Sequence, residues 1–533
     1  MKKFGYISVL LLLTACAHQQ PYQFIDAPVV TYYNDIHPIP LPESVHQNVF
    51  EYYARVKPPQ PNALPVTITK NKAARDVNAL DQIPGSSWFF PRLGAFPISP
   101  EELVEGPTEF GPPQPPLTVI QIRNVSRNPR LIVFDRRDIH YLLKFDPPDY
   151  PGISTTSSFI ANRLFWGFGY HVPEDQLCTI RPQILRIDTG SDIKASDIDA
   201  VFKNCAHSEN GDYRCIASRI IRGLPLGPAP DHGVRSDDPN DHFPHEDRRV
   251  LRALKVFAAF TNMADISTDN LFDIYVGEPN YGYIKHYLID FDDVLGTVAA
   301  RYDKPWAGFN HDFDVPDMLI NFVSLGLRIP DWEKIPPTPW PSVGMFEATL
   351  FDPARWKETN PFKPIRYCQP ADAYWAATVL AALTPVHIQA LVQAADFPEP
   401  EAEQYMIKTL IERQRKLVLY YYSRVTPLDL VGTEGNAIRL VNRLAEFENS
   451  SHDFYYTVRF LDENAQPVTE TEVITNSQPT LLVPIPASIV RLEHDYFCMN
   501  IQAAYEDNSL VNPAQFHCIV HDENNISVIG VVH

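Results

Sequence analysis

Between residues 262 and 292 the chain gathers side chains that suit metal-assisted phosphate chemistry. It reads Asn262-Met263-Ala264-Asp265-Ile266-Ser267-Thr268-Asp269-Asn270, then Leu271-Phe272-Asp273-Ile274-Tyr275-Val276. The turn Gly277-Glu278-Pro279-Asn280 follows, and a second strand-like run from Tyr283 to Ile289 ends in Asp290-Phe291-Asp292. If 271–276 and 283–289 pair as a hairpin, Asn270 and Asp290 lie at the same open end. Asp265 sits just before them, on the loop leaving an amphipathic helix. Two carboxylates and an amide carbonyl then meet at one spot, and hard oxygen ligands of this kind suit magnesium holding a nucleotide phosphate. Without Asp290, the Asp265/Asn270 pair would read as an ordinary helix and turn cap. A second polar cluster, Asp231 to Asp247, holds His232, His242 and His245 among aspartates. It reads either as a metal loop or, more commonly for such charge runs, as a solvated face paired with Arg235, Arg248 and Arg249.

The elements that must position these groups follow from pattern. Leu117–Ile122, Leu131–Phe134 and Ile139–Phe145 read as strands, the last carrying Lys144. A helix through Ser158–Trp166 stops at Gly167 or Gly169, with Phe159, Phe165 and Trp166 as core. Helical pattern returns at His245–Phe260, where Pro244 suits a first turn, and again at Ala371–Leu383 and Glu401–Tyr422. Tyr420, Tyr421 and Tyr422 form either a packing ridge or a partner surface. Short β runs then recur at Phe454–Phe460, Thr480–Val483, Ser488–Glu493, Cys498–Tyr505 and Ile526–Val532, at sandwich-like spacing.

The order helix, D-x4-N, hairpin, DF-acid resembles the C-lobe of the protein-kinase-like superfamily, especially its HipA-type and spore-coat-type members. The resemblance implies Asp265 as the base that accepts a hydroxyl proton, with Asn270 and Asp290 as magnesium ligands and ATP as the nucleotide. It implies Lys144, in Tyr-Leu-Leu-Lys-Phe-Asp, as the strand lysine that meets the phosphates. Ser86-Ser87-Trp88-Phe89, the Gly169–Pro173 turn, residues 235–249, His286–Phe291 and Asp372–Ala377 further resemble a group of bacterial proteins associated with this superfamily. Coverage runs from about 85 to 430. Four positions depart from the kinase pattern. The turn Asn124–Arg130 has no glycine to let backbone amides approach phosphates. Ser158 stands where a helix glutamate would anchor the lysine. Asp292 replaces the glycine of the DF-acid motif, and Met263 replaces a histidine before Asp265. The weakened parts point toward a pseudokinase that acts by binding, with an active phosphotransferase and a structural envelope lipoprotein as the alternatives.

The 533 residues suit two or three domains. Apolar content of 45% and 12% aromatics support real cores. A net charge of −20 disfavours nucleic acid and anionic membrane surfaces alike. Lys2, Lys3 and the apolar stretch Tyr6–Leu13 lead to Leu13-Thr14-Ala15-Cys16, which resembles a bacterial lipoprotein signal. Cys16 is then the acylated first residue, and Ala17 after it favours the outer membrane, facing the periplasm. The membrane contact is lipid, and the further partner expected is an envelope protein. No later run is long enough to span a bilayer. Six other cysteines allow up to three disulfides, with Cys205–Cys215 and Cys498–Cys518 as candidates. The expected fold is α+β: a signal at 1–15, an extended proline-rich segment at 16–84, and a divergent kinase-like bilobal domain at 85–430. Its β-rich N-lobe runs to about 225 and its helical C-lobe starts at about 244. A small all-β sandwich-like domain at 436–533 follows.

Overall fold

The computed structural model describes residues 29–45, 72–123, 128–311, 315–324, 327, 329–449, 453–490, 495–504, 511–522 and 525–533. Cys16 and the signal lie outside the described residues. The first sheet holds β1 (Leu117–Arg123), β2 (Arg130–Phe134), β3 (His140–Phe145), β4 (Asp175–Ile180), β5 (Leu185–Ile187) and β6 (Tyr213–Arg219). Their spatial order is β4-β6-β3-β2-β1-β5. Leu131, Val133, Tyr141, Leu143 and Phe145 alternate onto one face, which is covered by Ile198, Val201 and Phe202 of helix Ala195–Phe202. Ile132, Leu142 and Lys144 therefore take the opposite face, because successive side chains of a strand point to opposite sides. That face looks toward helix α1 (Ile153–Gly167), which is buried almost throughout, and toward the helical part of the chain.

The expected hairpin is present and longer than its sequence signal. β8 (Leu271–Glu278) pairs with β9 (Tyr281–Leu288) from Leu271 opposite Leu288 to Glu278 opposite Tyr281. β7 (Leu224–Pro228) adds a third strand. Helices Pro370–Ala381, Pro385–Ala394 and Pro400–Tyr422 form the helical core, where Tyr421 and Tyr422 are packed inward. Among the described residues no single helix is long and apolar enough to cross a membrane.

The expected helix over His245–Phe260 is broken. It splits into a short 3-10 turn at His245–Asp247 and helices Arg249–Arg252 and Leu254–Thr261. The reason is tertiary: Asp76, from far upstream, accepts the Arg249 amide at 2.5 Å and caps a new helix start there. The charged run before it is a solvated face only in part: His232 and His242 are exposed and Arg235 pairs with Asp237, but its later acids turn inward. Asp241, His245 and Arg248 are buried together, with Arg248 at 2.6 Å and His245 at 2.8 Å from Asp241. No metal-ligating group of three or more His, Cys, Asp or Glu occurs among the described residues. The described part of the leader is also more than a surface winding. Asp35 accepts the Ser87 amide at 3.0 Å, and Ile39 is buried and bridges to Gly282 of β9.

The last hundred residues form two antiparallel sheets, one of strands 428–434, 437–442 and 480–484, the other of five strands running from 454 to 532. The strand expected at Ser488–Glu493 is instead a helical turn, Ala487–Val490, as far as the described residues extend. All six cysteines after Cys16 are free thiols. Strand register sets Cys498 opposite His517 and Cys518 opposite Phe497, so that pair does not face itself. Cys215 lies opposite Cys178, while Cys205 bonds to Val201.

A buried carboxylate holds the helical core to the upstream segment. Asp372 meets Arg249 at 3.0 Å and Arg252 at 3.2 Å, and Arg249 also reaches Asp81 at 2.7 Å. Asp372→Ala would leave two buried guanidinium groups short of a counter-charge. It is expected to cost roughly 3–5 kcal/mol, measured as a lowered urea midpoint at unchanged slope.

Candidate functional site

Lys144 and the Asp290–Asp292 turn meet between the first sheet and the hairpin. The closest partner of Lys144 is Asp292, whose Oδ1 lies 2.9 Å from Nζ, while Asp290 Oδ1 is at 3.8 Å. Arg130 Nη2 approaches Asp292 Oδ2 at 2.6 Å. Arg130 stands directly opposite Lys144 in the β2–β3 register, so two adjacent strands aim two cations at one acid. Ser158 of α1 completes the knot by donating its hydroxyl to Asp292 Oδ1 at 3.0 Å. The acid expected near position 158 is thus supplied from across the cleft, and the serine binds that acid.

Burial opposes the charge of Asp292, yet Lys144 and Arg130 outweigh it and pull its carboxyl down to about 2. Burial likewise opposes the charge of Lys144, and Asp292 followed by Asp290 overcomes it, so the ammonium holds its proton more firmly than usual. Asp290 behaves differently. Its backbone is left-handed, with φ of +63°, an arrangement that costs of order 1 kcal/mol for a residue with a Cβ. That turn swings its side chain outward, and it remains 51% exposed while Asp292 is sealed. Asp293, next along, is pushed up to about 7 by burial and then by Asp290.

Asn270 reaches the place expected of it, with its amide nitrogen 3.5 Å from the carbonyls of Ile289 and Asp290. Its side-chain oxygen, however, accepts the Ser267 amide at 2.9 Å and closes a capping box. Asp265 is exposed at the same end, and Asn360 donates to its Oδ1 at 3.4 Å. The carboxylates repel one another: burial, then Asp265 and Asp290, raise Asp269 above its ordinary value. A hard cation would relieve that repulsion. Magnesium commonly keeps one or two protein oxygens and takes the rest from phosphates and water, so Asp290 with Asn270 is a sufficient donor set once the amide turns.

Above and below this charged end lie apolar surfaces. Ile132 and Leu142 are register partners on the cleft face of the first sheet. Ile221, Phe272 and Ile274 form a buried cluster on the hairpin side, with Ile289 packed against it.

Of the residues read from sequence, Lys144, Asn270 and Asp290 come together, and Asp265 stands at the same open end. Arg130, Ser158 and Asn360 were not assigned roles there. Arg130 was accessible in principle, since pairing Leu131–Phe134 with Ile139–Phe145 as a hairpin sets it across from Lys144. Asn360 carried no local signal.

No family model matches the chain, and no curated protein matches it. Among solved structures it is similar to the Helicobacter pylori proinflammatory kinase CtkA, at 12% identity and a TM-score of 0.29, over 55% of this chain and 93% of that one. It is also similar to a Golgi casein kinase solved with Mn and ADP bound, at 8% identity and a TM-score of 0.30, over 58% of this chain and 73% of that one.

If Asp292 carries the anchoring role, the acid should be movable. Asp292→Ala would strand Lys144 and Arg130 and lower stability by roughly 3–5 kcal/mol. Adding Ser158→Glu would return a carboxylate from the α1 side and recover at least half of that loss. Equal melting temperatures for the single and double variants would refute the exchange.

Proposed function

We propose that this chain is a divergent kinase-like protein that binds a magnesium nucleotide, ATP by preference, in the cleft between its first sheet and its β8–β9 hairpin. The observation that carries this reading is the Lys144–Asp292–Arg130–Ser158 knot. It fixes two cations on one acid while leaving neighbouring Asp290 open to solvent. In this reading Lys144 and Arg130 meet phosphate oxygens, Asp290 and Asn270 hold the metal, and Ile132, Leu142 and Phe272 enclose the base. Binding is the primary activity, because the turn 124–130 offers no glycine to bring backbone amides onto the phosphates. The protein works as an exported pseudokinase, tethered to the outer membrane through lipid on Cys16, facing the periplasm and engaging an envelope protein.

Phosphate transfer with Asp265 as base is the second reading. It is favoured by Asn360, which donates to Asp265 at the open end and would orient its carboxylate toward an acceptor hydroxyl.

Magnesium and ATP together are expected to raise the melting temperature of the full chain, and neither alone should do so. Asp290→Ala should abolish the rise without lowering the basal melting temperature by more than a degree or two, since its side chain is half exposed. A rise that persists in Asp290→Ala would overturn the assignment of the metal site. Labelled phosphate appearing in an acceptor, and lost in Asp265→Asn with nucleotide binding kept, would make transfer the primary activity.

The tether is tested separately. Cells fed labelled palmitate should label the wild-type chain and leave Cys16→Ser unlabelled. Equal labelling would remove the lipid from this account.

A further inference from the structure

Beside the Ile221–Phe272–Ile274 cluster, on the face of β9 that carries Lys285 and Tyr287, lies a second cavity whose polar groups have no part in the nucleotide reading. It encloses about 200 Å³ and is lined by Arg92, Arg219, Lys285 and Tyr287, with Glu109 and Glu174 among its acids. The cations are not equally engaged. Arg92 donates to the carbonyls of Trp166 at 2.9 Å and Tyr170 at 3.3 Å, and lies over the Trp166 ring. Arg219 lies over Phe110 and reaches Glu174 at 3.4 Å. Lys285 stands over the Tyr287 ring at 5.3 Å, and no carboxylate lies within ion-pair distance of it among the described residues.

The acids compensate only in part. The Glu174 carboxylate is taken up by the amides of Phe110 at 2.9 Å and Gly111 at 2.6 Å as well as by Arg219. Glu109 sits at the rim, with its side chain 71% exposed, where water screens it. The interior thus holds an ammonium group repelled by the Arg92 guanidinium and opposed only by the rim carboxylate of Glu109. Burial and then the repulsion of Arg92 make Lys285 surrender its proton more readily than an ordinary lysine. An anion entering the cavity would gain charge-assisted hydrogen bonds from Lys285 and relieve that repulsion.

We propose that this cavity is a binding site for a small oxyanion, a phosphate or carboxylate group, with Lys285 as its principal donor and Tyr287 beside it. Arg92 and Arg219 supply field more than contacts. The proposal does not require that the nucleotide cleft bind ATP.

The probes are inorganic phosphate and citrate, titrated into the full chain by calorimetry, with potassium chloride at matched ionic strength as the control. Either anion should bind, and the preferred one identifies phosphate or carboxylate as the recognised group. Lys285→Met should weaken binding at least tenfold, Lys285→Arg should keep it within about threefold, and Arg130→Gln should leave it unchanged. Binding that is lost in Arg130→Gln and kept in Lys285→Met would place the anion in the nucleotide cleft and overturn the proposal. An effect matched by chloride would overturn it too. Should Lys285→Met fail to fold, amine acylation read by mass spectrometry decides on the wild-type chain. Protection of Lys285 by phosphate or citrate, and not by chloride, supports the site, and unchanged labelling refutes it.

Discussion

One carboxylate, Asp292, holds the candidate site together. It is sealed from water and bound by groups from three elements: Arg130 of β2, Lys144 of β3 and Ser158 of α1. A buried acid is costly unless its partners are well placed, and here two cations and a hydroxyl meet it within 3.0 Å. The cost of desolvating Asp292 is therefore recovered only when the first sheet, α1 and the turn after β9 are docked correctly. That makes the knot a test of assembly as well as a source of local charge. It also separates two neighbours in sequence: Asp292 is sealed inside, and Asp290 is the acid left open to solvent.

The hairpin and the strand lysine were legible in the sequence because both rest on local rules. Alternating strand formers on either side of Gly277–Asn280 define a hairpin whatever surrounds them, and a hairpin returns Asp290 to Asn270. The partner of Lys144 was not legible. Residues 290 and 292 are two apart, and a continuing strand would present both alike. The left-handed backbone at Asp290 breaks that equivalence, and the turn, not the side-chain type, decides which acid goes inward.

Other differences have the same origin. The stretch from His245 to Phe260 has helical pattern throughout, yet a distant aspartate caps its middle and divides it. The polar run before it looked solvated, since its composition is that of a surface. Ion pairing among Asp241, His245 and Arg248 satisfies those charges inside the protein, where composition alone gives no warning. Cys498 and Cys518 lie on neighbouring strands but one register step apart, while Cys178 and Cys215 share a rung and are free as well.

The strap formed by residues 29–45 has a mechanical consequence. Ile39 is hydrogen-bonded to Gly282 at the tip of β9, the Tyr275 hydroxyl donates to the Ile39 carbonyl, and Asp35 grips Ser87. A pull exerted upstream of residue 29 would first meet the bonds that tie Val30, Thr31 and Tyr33 to Asn78 and Gly85, and then those at Asp35 and Ile39. It would load the very ribbon whose opposite end carries Asn270 and Asp290. The leader and the candidate site are thereby joined by one ribbon, eight residues long in each arm.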